Sequence, residues 1–159
     1  MDVVVDDPTG AHVEQLLRDH LADMFATSPA ESVHALDGHA LSHPDVTFFS
    51  ASENGSTLGC GALKELSAHD GEIKSMRTTG AARGRGVASV ILERILLEAR
   101  NRGYTSLHLE TGPQDFFAPA RRLYAKYGFV ECEPFGDYTL DPHSVYMSLD
   151  LEFSSPART

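Results

Sequence analysis

Arg83-Gly84-Arg85-Gly86-Val87-Ala88 decides how this chain is read, because of what stands on either side of it. Behind it, Glu72-Ile73-Lys74-Ser75-Met76-Arg77-Thr78 reads as a strand. Ahead of it, Ala88, Ile91, Leu92, Ile95, Leu96 and Ala99 recur on one face of a long helix that Gly103 ends. A helix N-terminus leaves backbone N–H groups unpaired and carries partial positive charge, so it accepts phosphate oxygens. Glycines at 84 and 86 let an anion approach without a Cβ in the way, and Arg83 and Arg85 add charged donors at the rim. The competing reading is a glycine-containing turn on the surface.

Two other phosphate loops compare poorly. A P-loop requires GxxxxGK[ST], and the chain's Lys74-Ser75 follows Ile73 where that motif needs glycine. A dinucleotide fingerprint requires a third glycine where Ser89 stands, although Glu110 lies at a ribose-binding distance along the chain. The strand at 72–78 is also too polar for a first Rossmann strand buried on both faces.

Working outward, residues 3–5 form a short β-branched run, and Val13, Leu16, Leu17, Leu21 and Met24 recur at helical spacing. Ser28-Pro29-Ala30-Glu31 has the form of a capping box opening a short helix to about residue 36. Strands at 46–51 and 57–66 flank Glu53-Asn54-Gly55-Ser56, a hairpin turn, and His69-Asp70-Gly71 turns into the strand at 72–78. After the long helix come a strand at 105–111, a helix marked by Ala120, Leu123, Tyr124 and Tyr127 with Gly128 as its cap, and a last strand at 145–151. The fold class is α+β, a mostly antiparallel sheet with helices on its faces.

The 159 residues suit one domain, and 42% apolar with 23% charged residues is ordinary for a globular chain. A net charge of −10 repels phosphate backbones and anionic lipid, so neither nucleic acid nor membrane is an expected partner. Against that acidity, Arg77, Arg83, Arg85, Arg121 and Arg122 make the middle locally basic, as a pocket for a small anion would require. Cys60 and Cys132 show no metal spacing, no signal-like segment opens the chain, and the expected compartment is cytoplasmic. His34, His39 and His43 lack acidic or cysteine partners, so no metal site is expected.

Arg83-x-x-Gly86-x-Ala88 opening a long helix, then Leu123-Tyr124-Ala125-Lys126-Tyr127-Gly128-Phe129, resembles the GNAT superfamily of acyl-CoA N-acyltransferases. Its signature is [QR]xxGx[GA], with a later LYxxxGF. Residues 28–36, Gly59-Cys60-Gly61-Ala62-Leu63 and Phe135-Gly136-Asp137-Tyr138 further resemble a bacterial, YsnE-like subgroup. The resemblance implies one GNAT-like domain over 1–153 with a loose tail at 154–159, and a mixed sheet in which the strands at 72–78 and 105–111 splay apart.

What the resemblance implies for the site follows residue by residue. Acetyl-CoA would lie in the splay, its pantetheine arm along Met76, Arg77 and Thr78, its pyrophosphate on Arg83, Gly84, Arg85, Gly86, Val87 and Ala88. Met76 N–H would steady the thioester oxygen. Tyr124 would protonate the departing thiolate, or else is a core tyrosine. Phe117 lines the cofactor where the family often has Asn, so that hydrogen bond would come from Gln114 or Asp115.

Glu72, eleven residues before Arg83, stands where some members carry a basic glutamate. A period of two puts it on one strand face with Lys74 and Met76, and it is either the base or half of a solvated ion pair. Lys74 and Arg77 are alternatively carboxylate ligands. Ser32, His34 and Tyr138 fall where the acceptor wall is expected, with surface or capping roles equally open. The expected activity is acetyl transfer from acetyl-CoA to a primary amine, of a small molecule or a peptide, in a ternary complex. A non-catalytic CoA-binding module and a dinucleotide-linked oxidoreductase are the alternatives, and both monomer and homodimer stay open.

Overall fold

The computed structural model describes residues 1–33 and 37–152; His34 and the expected tail at 154–159 lie outside them. The described strands, numbered in chain order, are β1 (Asp2–Val5), β2 (Val46–Glu53), β3 (Ser56–Glu65), β4 (Asp70–Thr78), β5 (Ser106–Thr111), β6 (Val130–Glu131) and β7 (Val145–Asp150). They form one seven-stranded sheet in the order β1-β2-β3-β4-β5-β7-β6. The helices are α1 (Ala11–Thr27), α2 (Gly38–Leu41), α3 (Val87–Asn101) and α4 (Ala118–Lys126). No described helix is long and apolar enough to cross a membrane.

β1 to β4 make the antiparallel meander that the turn chemistry predicts. Asn54 at φ 52° and Gly55 at φ 80° supply the two left-handed residues of a tight hairpin turn between β2 and β3. Alternation along β2 sends Phe48 into one core and Phe49 into the other. On the first face α1 sets Val13, Leu16 and Leu17 against Phe48, Cys60 and Ala62. On the opposite face Ile91, Leu92, Ile95 and Leu96 of α3 meet Leu63, Ile73, Leu107 and Leu109. Each such side chain contributes about 1.5–3 kcal/mol when fully buried. Gly59 and Gly61 let α3 sit close: a Cβ at Gly59 would meet Val87 Cγ1 at 2.8 Å, and one at Gly61 would meet Ile91 Cγ2 at 2.8 Å.

β4 and β5 are parallel, and their register runs only from Asp70↔Ser106 to Ile73↔Leu109. Beyond that point β4 continues on β3 as far as Thr78↔Gly59, and β5 continues on β7 as far as Thr111↔Val145. The two strands therefore splay. The register of β4 on β3 shifts between Cys60 and Ala62, and Ser75 there has φ 56°. This is a β-bulge, one extra residue that bends the strand and increases its twist.

The bulge corrects the period-two reading of β4. Glu72 and Lys74 remain together, but Met76 packs beside Ile91 on the α3 side. Arg77 takes the α1 side instead, where its guanidinium pairs with Asp23. A second correction concerns Ser28–Glu31. Ser28 terminates α1, Pro29 precedes a single 3-10 turn at Ala30–Ser32, and no side chain caps that turn. The capped element is α2, where Asp37 accepts from Ala40 N–H at 2.8 Å. The two-residue strand β6 gave no periodic signal.

Gly61→Ala tests how closely α3 packs over the bulge. The new methyl would sit 2.5 Å from Met76 Sδ. Chemical denaturation should show a loss of about 1–3 kcal/mol, the usual cost of overpacking.

Candidate active site

Where β4 and β5 separate, a cavity of about 120 Å³ opens between the sheet, α1 and α4. Met76, Glu72 and Lys74 reach it from β4, Phe117 and Tyr124 from the far side, and Ser32 from the 3-10 turn. Those sequence-predicted residues share one space. Tyr138 joins them by hydrogen bonds. Its hydroxyl donates to Glu72 Oε2 at 2.7 Å and accepts from Lys74 Nζ at 2.9 Å, while Lys74 Nζ lies 3.2 Å from the same carboxylate oxygen. Glu72 is 2% exposed, so the solvated ion pair is replaced by a buried one. Burial, then the Glu72 charge, pushes the Tyr138 phenol upward, which keeps it a hydrogen-bond donor.

Tyr124 is buried, its ring edge-on to Phe129 at 5.7 Å, and burial raises its phenol. Gln114 Nε2 donates to Thr27 O at 3.0 Å, tying the start of α4 to the end of α1, while its Oε1 is buried with no hydrogen-bond partner among the described residues. The Arg77 guanidinium is engaged with Asp23. Arg83, Gly84, Arg85 and Gly86 do not line the cavity; they are exposed and follow β4 through a 3-10 turn at Gly80–Ala82.

That loop is built openly. Gly84 and Gly86 have φ 81° and 80°, and a Cβ at either would meet nothing within 4 Å. Gly86 is the N-cap of α3 and no side chain caps the helix, so its first N–H groups face outward. Arg85 pairs with Glu53 at 2.7 Å, and Val87 is buried beneath the loop.

His20 was missed in the sequence. It is 8% exposed, lines the cavity from α1, and makes no hydrogen bond among the described residues. Burial, with Arg77 and Lys74 adding to it and Asp23 opposing, lowers its pKa from 6.5 to about 4. Its signal was present: position 20 falls on the stripe Val13, Leu16, Leu17 and Met24, where a polar side chain must be buried. Cys60 is no rival nucleophile. Its thiol is buried, donates to Ser75 O at 3.3 Å, and is pushed up to about 12 by burial.

A sheet opened at its centre above an uncapped, glycine-led helix N-terminus is the build of an acyl-transfer enzyme, and the relatives agree. The Acetyltransferase (GNAT) family matches over residues 13–129. The chain is 50% identical, over 95% of its length and 100% of the relative's, to the uncharacterized N-acetyltransferase YsnE of Bacillus subtilis (strain 168). It is 41% identical to the IAA acetyltransferase of Azospirillum brasilense, covering 87% of this chain and 88% of that one. Among solved structures, a candidate acyl-CoA N-acyltransferase from Klebsiella pneumoniae subsp. pneumoniae shares the fold at TM-score 0.77 and 26% identity, over 94% and 97% of the two chains. The chain belongs to the GNAT family of acetyltransferases. This excludes the oxidoreductase reading, although one reason first given against it fails. β4 is polar and still deeply buried at Glu72 and Ser75.

The buried His20 makes stability depend on pH. Its folded pKa is depressed, so its contribution is complete above 6.5 and is lost as pH falls toward about 4. The loss through this one group is on the order of 3 kcal/mol. Comparing unfolding of the wild type and His20→Gln across that window should show a shallower decline in the variant. Parallel curves would contradict the assignment.

Proposed function

We propose that the protein transfers an acetyl group from acetyl-CoA to a primary amine by direct attack, without a covalent acyl-enzyme. The observation that carries this reading is the cavity itself, which gathers Met76, Glu72 and Tyr124 where β4 leaves β5. Members of the family use acyl-CoA, and the residues present suit one. The edge of β4 beyond Ile73 has no strand partner on the β5 side, and the loop at 84–86 is open to a pyrophosphate. The main chain of Met76, Arg77 and Thr78 would hold the pantetheine amides, and Gly84 to Ala88 would hold the pyrophosphate. Bound there, the thioester supplies an activated acetyl carbonyl.

Each residue then has a task. Met76 N–H donates to the carbonyl oxygen as negative charge grows on it, a contribution typically worth a few kcal/mol of barrier. Glu72 accepts the proton that the amine must lose, directly or through the Tyr138 hydroxyl bound to it. Tyr124, kept protonated by burial, gives its proton to the sulfur as the carbon–sulfur bond breaks and charge grows on it. Phe117 closes the pantetheine side by packing alone. Ser32 and Lys74 belong to the acceptor wall. The acceptor is a small molecule or a peptide end, and the free thiols Cys60 and Cys132 suit a cytoplasmic place of work.

Thiol release from acetyl-CoA with a panel of amines tests the reading as a whole. Tyr124→Phe tests its most specific part, because it keeps the ring against Phe129 and removes only the proton. Turnover should fall by roughly 100-fold with cofactor affinity nearly kept. Full activity would reduce Tyr124 to a packing residue.

A further inference from the structure

The cavity's α1 side carries more hydrogen-bond donors than the protein uses. Lys74 Nζ has three N–H bonds and spends two, on Glu72 and Tyr138. Ser75 Oγ is buried with no hydrogen-bond partner among the described residues. His20 has none among the described residues. All three line the same cavity. Two carboxylate oxygens lining it are already served, Glu72 Oε2 by Lys74 and Tyr138 and Glu110 Oε2 by the Ser144 hydroxyl at 2.6 Å. Buried polar groups are rarely left unpaired, and a surplus of one sign of group around a cavity describes the ligand that completes it. Here the missing partner is an acceptor of several hydrogen bonds.

We propose that the acetylated amine also carries a carboxylate, and that His20, Lys74 and Ser75 hold that carboxylate while Glu72 faces the amine. This rests on the acetyl-transfer reading above and narrows it to amino-acid-like acceptors. A carboxylate has two oxygens and about four lone-pair sites, enough for all three donors. The local charges are mixed: Lys74 favours an anion, while the carboxylates of Glu72 and Glu110, which line the same cavity, oppose one. Arg77 and Lys74 on β4 act on His20 in the direction that an arriving anion would offset, whereas Asp23 on α1 acts the other way. Neutral His20 presents one N–H, and the bulge at Ser75 places its hydroxyl on the strand that carries Lys74.

The test is thiol release from acetyl-CoA with matched pairs: L-phenylalanine against L-phenylalaninamide, and L-methionine against L-methioninamide. The amides hold more free base at neutral pH, because a neighbouring carboxylate raises an amine's pKa. Chemistry without carboxylate recognition would thus favour them. The inference predicts that at least one acid exceeds its amide by about 10- to 100-fold in kcat/KM, the span expected for hydrogen bonds to a charged group. In His20→Leu, which removes the N–H donor, that ratio should narrow by about tenfold, mainly through the acid's KM. Turnover that is equal within each pair, or faster with the amides, would overturn this inference alone. No thiol release with any amine would overturn the acetyl-transfer reading and this inference with it. The wild-type pairs decide the question even if the variant does not fold.

Discussion

The candidate site depends on β4 and β5 parting after Ile73 and Leu109. Two parallel strands in the middle of a sheet ordinarily stay bonded along their length, because an unpaired, buried backbone amide costs about as much as a lost hydrogen bond. Here each strand keeps its outer neighbour, β3 or β7, and gives up the inner one. The bulge at Ser75, with its left-handed backbone, bends β4 away. The glycines opposite it leave room for α3 to approach the bent strand. Under the proposed function, a cofactor arm pairing with the exposed edge would restore what the sheet lacks, and binding and fold completion would become one event.

The bulge also sorts side chains. Without it Met76 would share a face with Glu72 and Lys74; with it, Met76 turns toward α3 and Arg77 takes the α1 side. The α1 side then holds Glu72, Lys74, Tyr138, His20, and the Arg77–Asp23 pair. Burying paired charges gains little stability, since desolvation consumes most of their attraction. An apolar filling would hold the sheet at least as well. The concentration of buried polar groups fits the recognition and deprotonation of an acceptor amine proposed above.

Much of this was legible beforehand because the signals were local. The helix face from Ile91 to Ala99, the Asn54-Gly55 turn and the glycine-led start of α3 each rest on a few adjacent residues, and all appear as read. The splay followed from resemblance to a family, since no property of a single strand announces where its neighbour will leave. The errors came where one residue changed the count. A period of two fails across a bulge, and Ser75 carries no sequence mark of a left-handed backbone. Ser28-Pro29-Ala30-Glu31 has capping-box chemistry, but Ser28 is used to end α1. His20 was passed over because a lone histidine on an apolar stripe is usually read as a gap in the stripe rather than as its purpose.

Amide hydrogen exchange with and without saturating acetyl-CoA tests the central claim most directly. If the parted edge of β4 and the start of α3 receive the cofactor, Met76, Val87 and Ala88 gain protection together, at a concentration matching the calorimetric affinity. If binding is saturated while those amides exchange at unchanged rates, or protection gathers instead around the groove beside Pro8 and Asp37, the account is wrong.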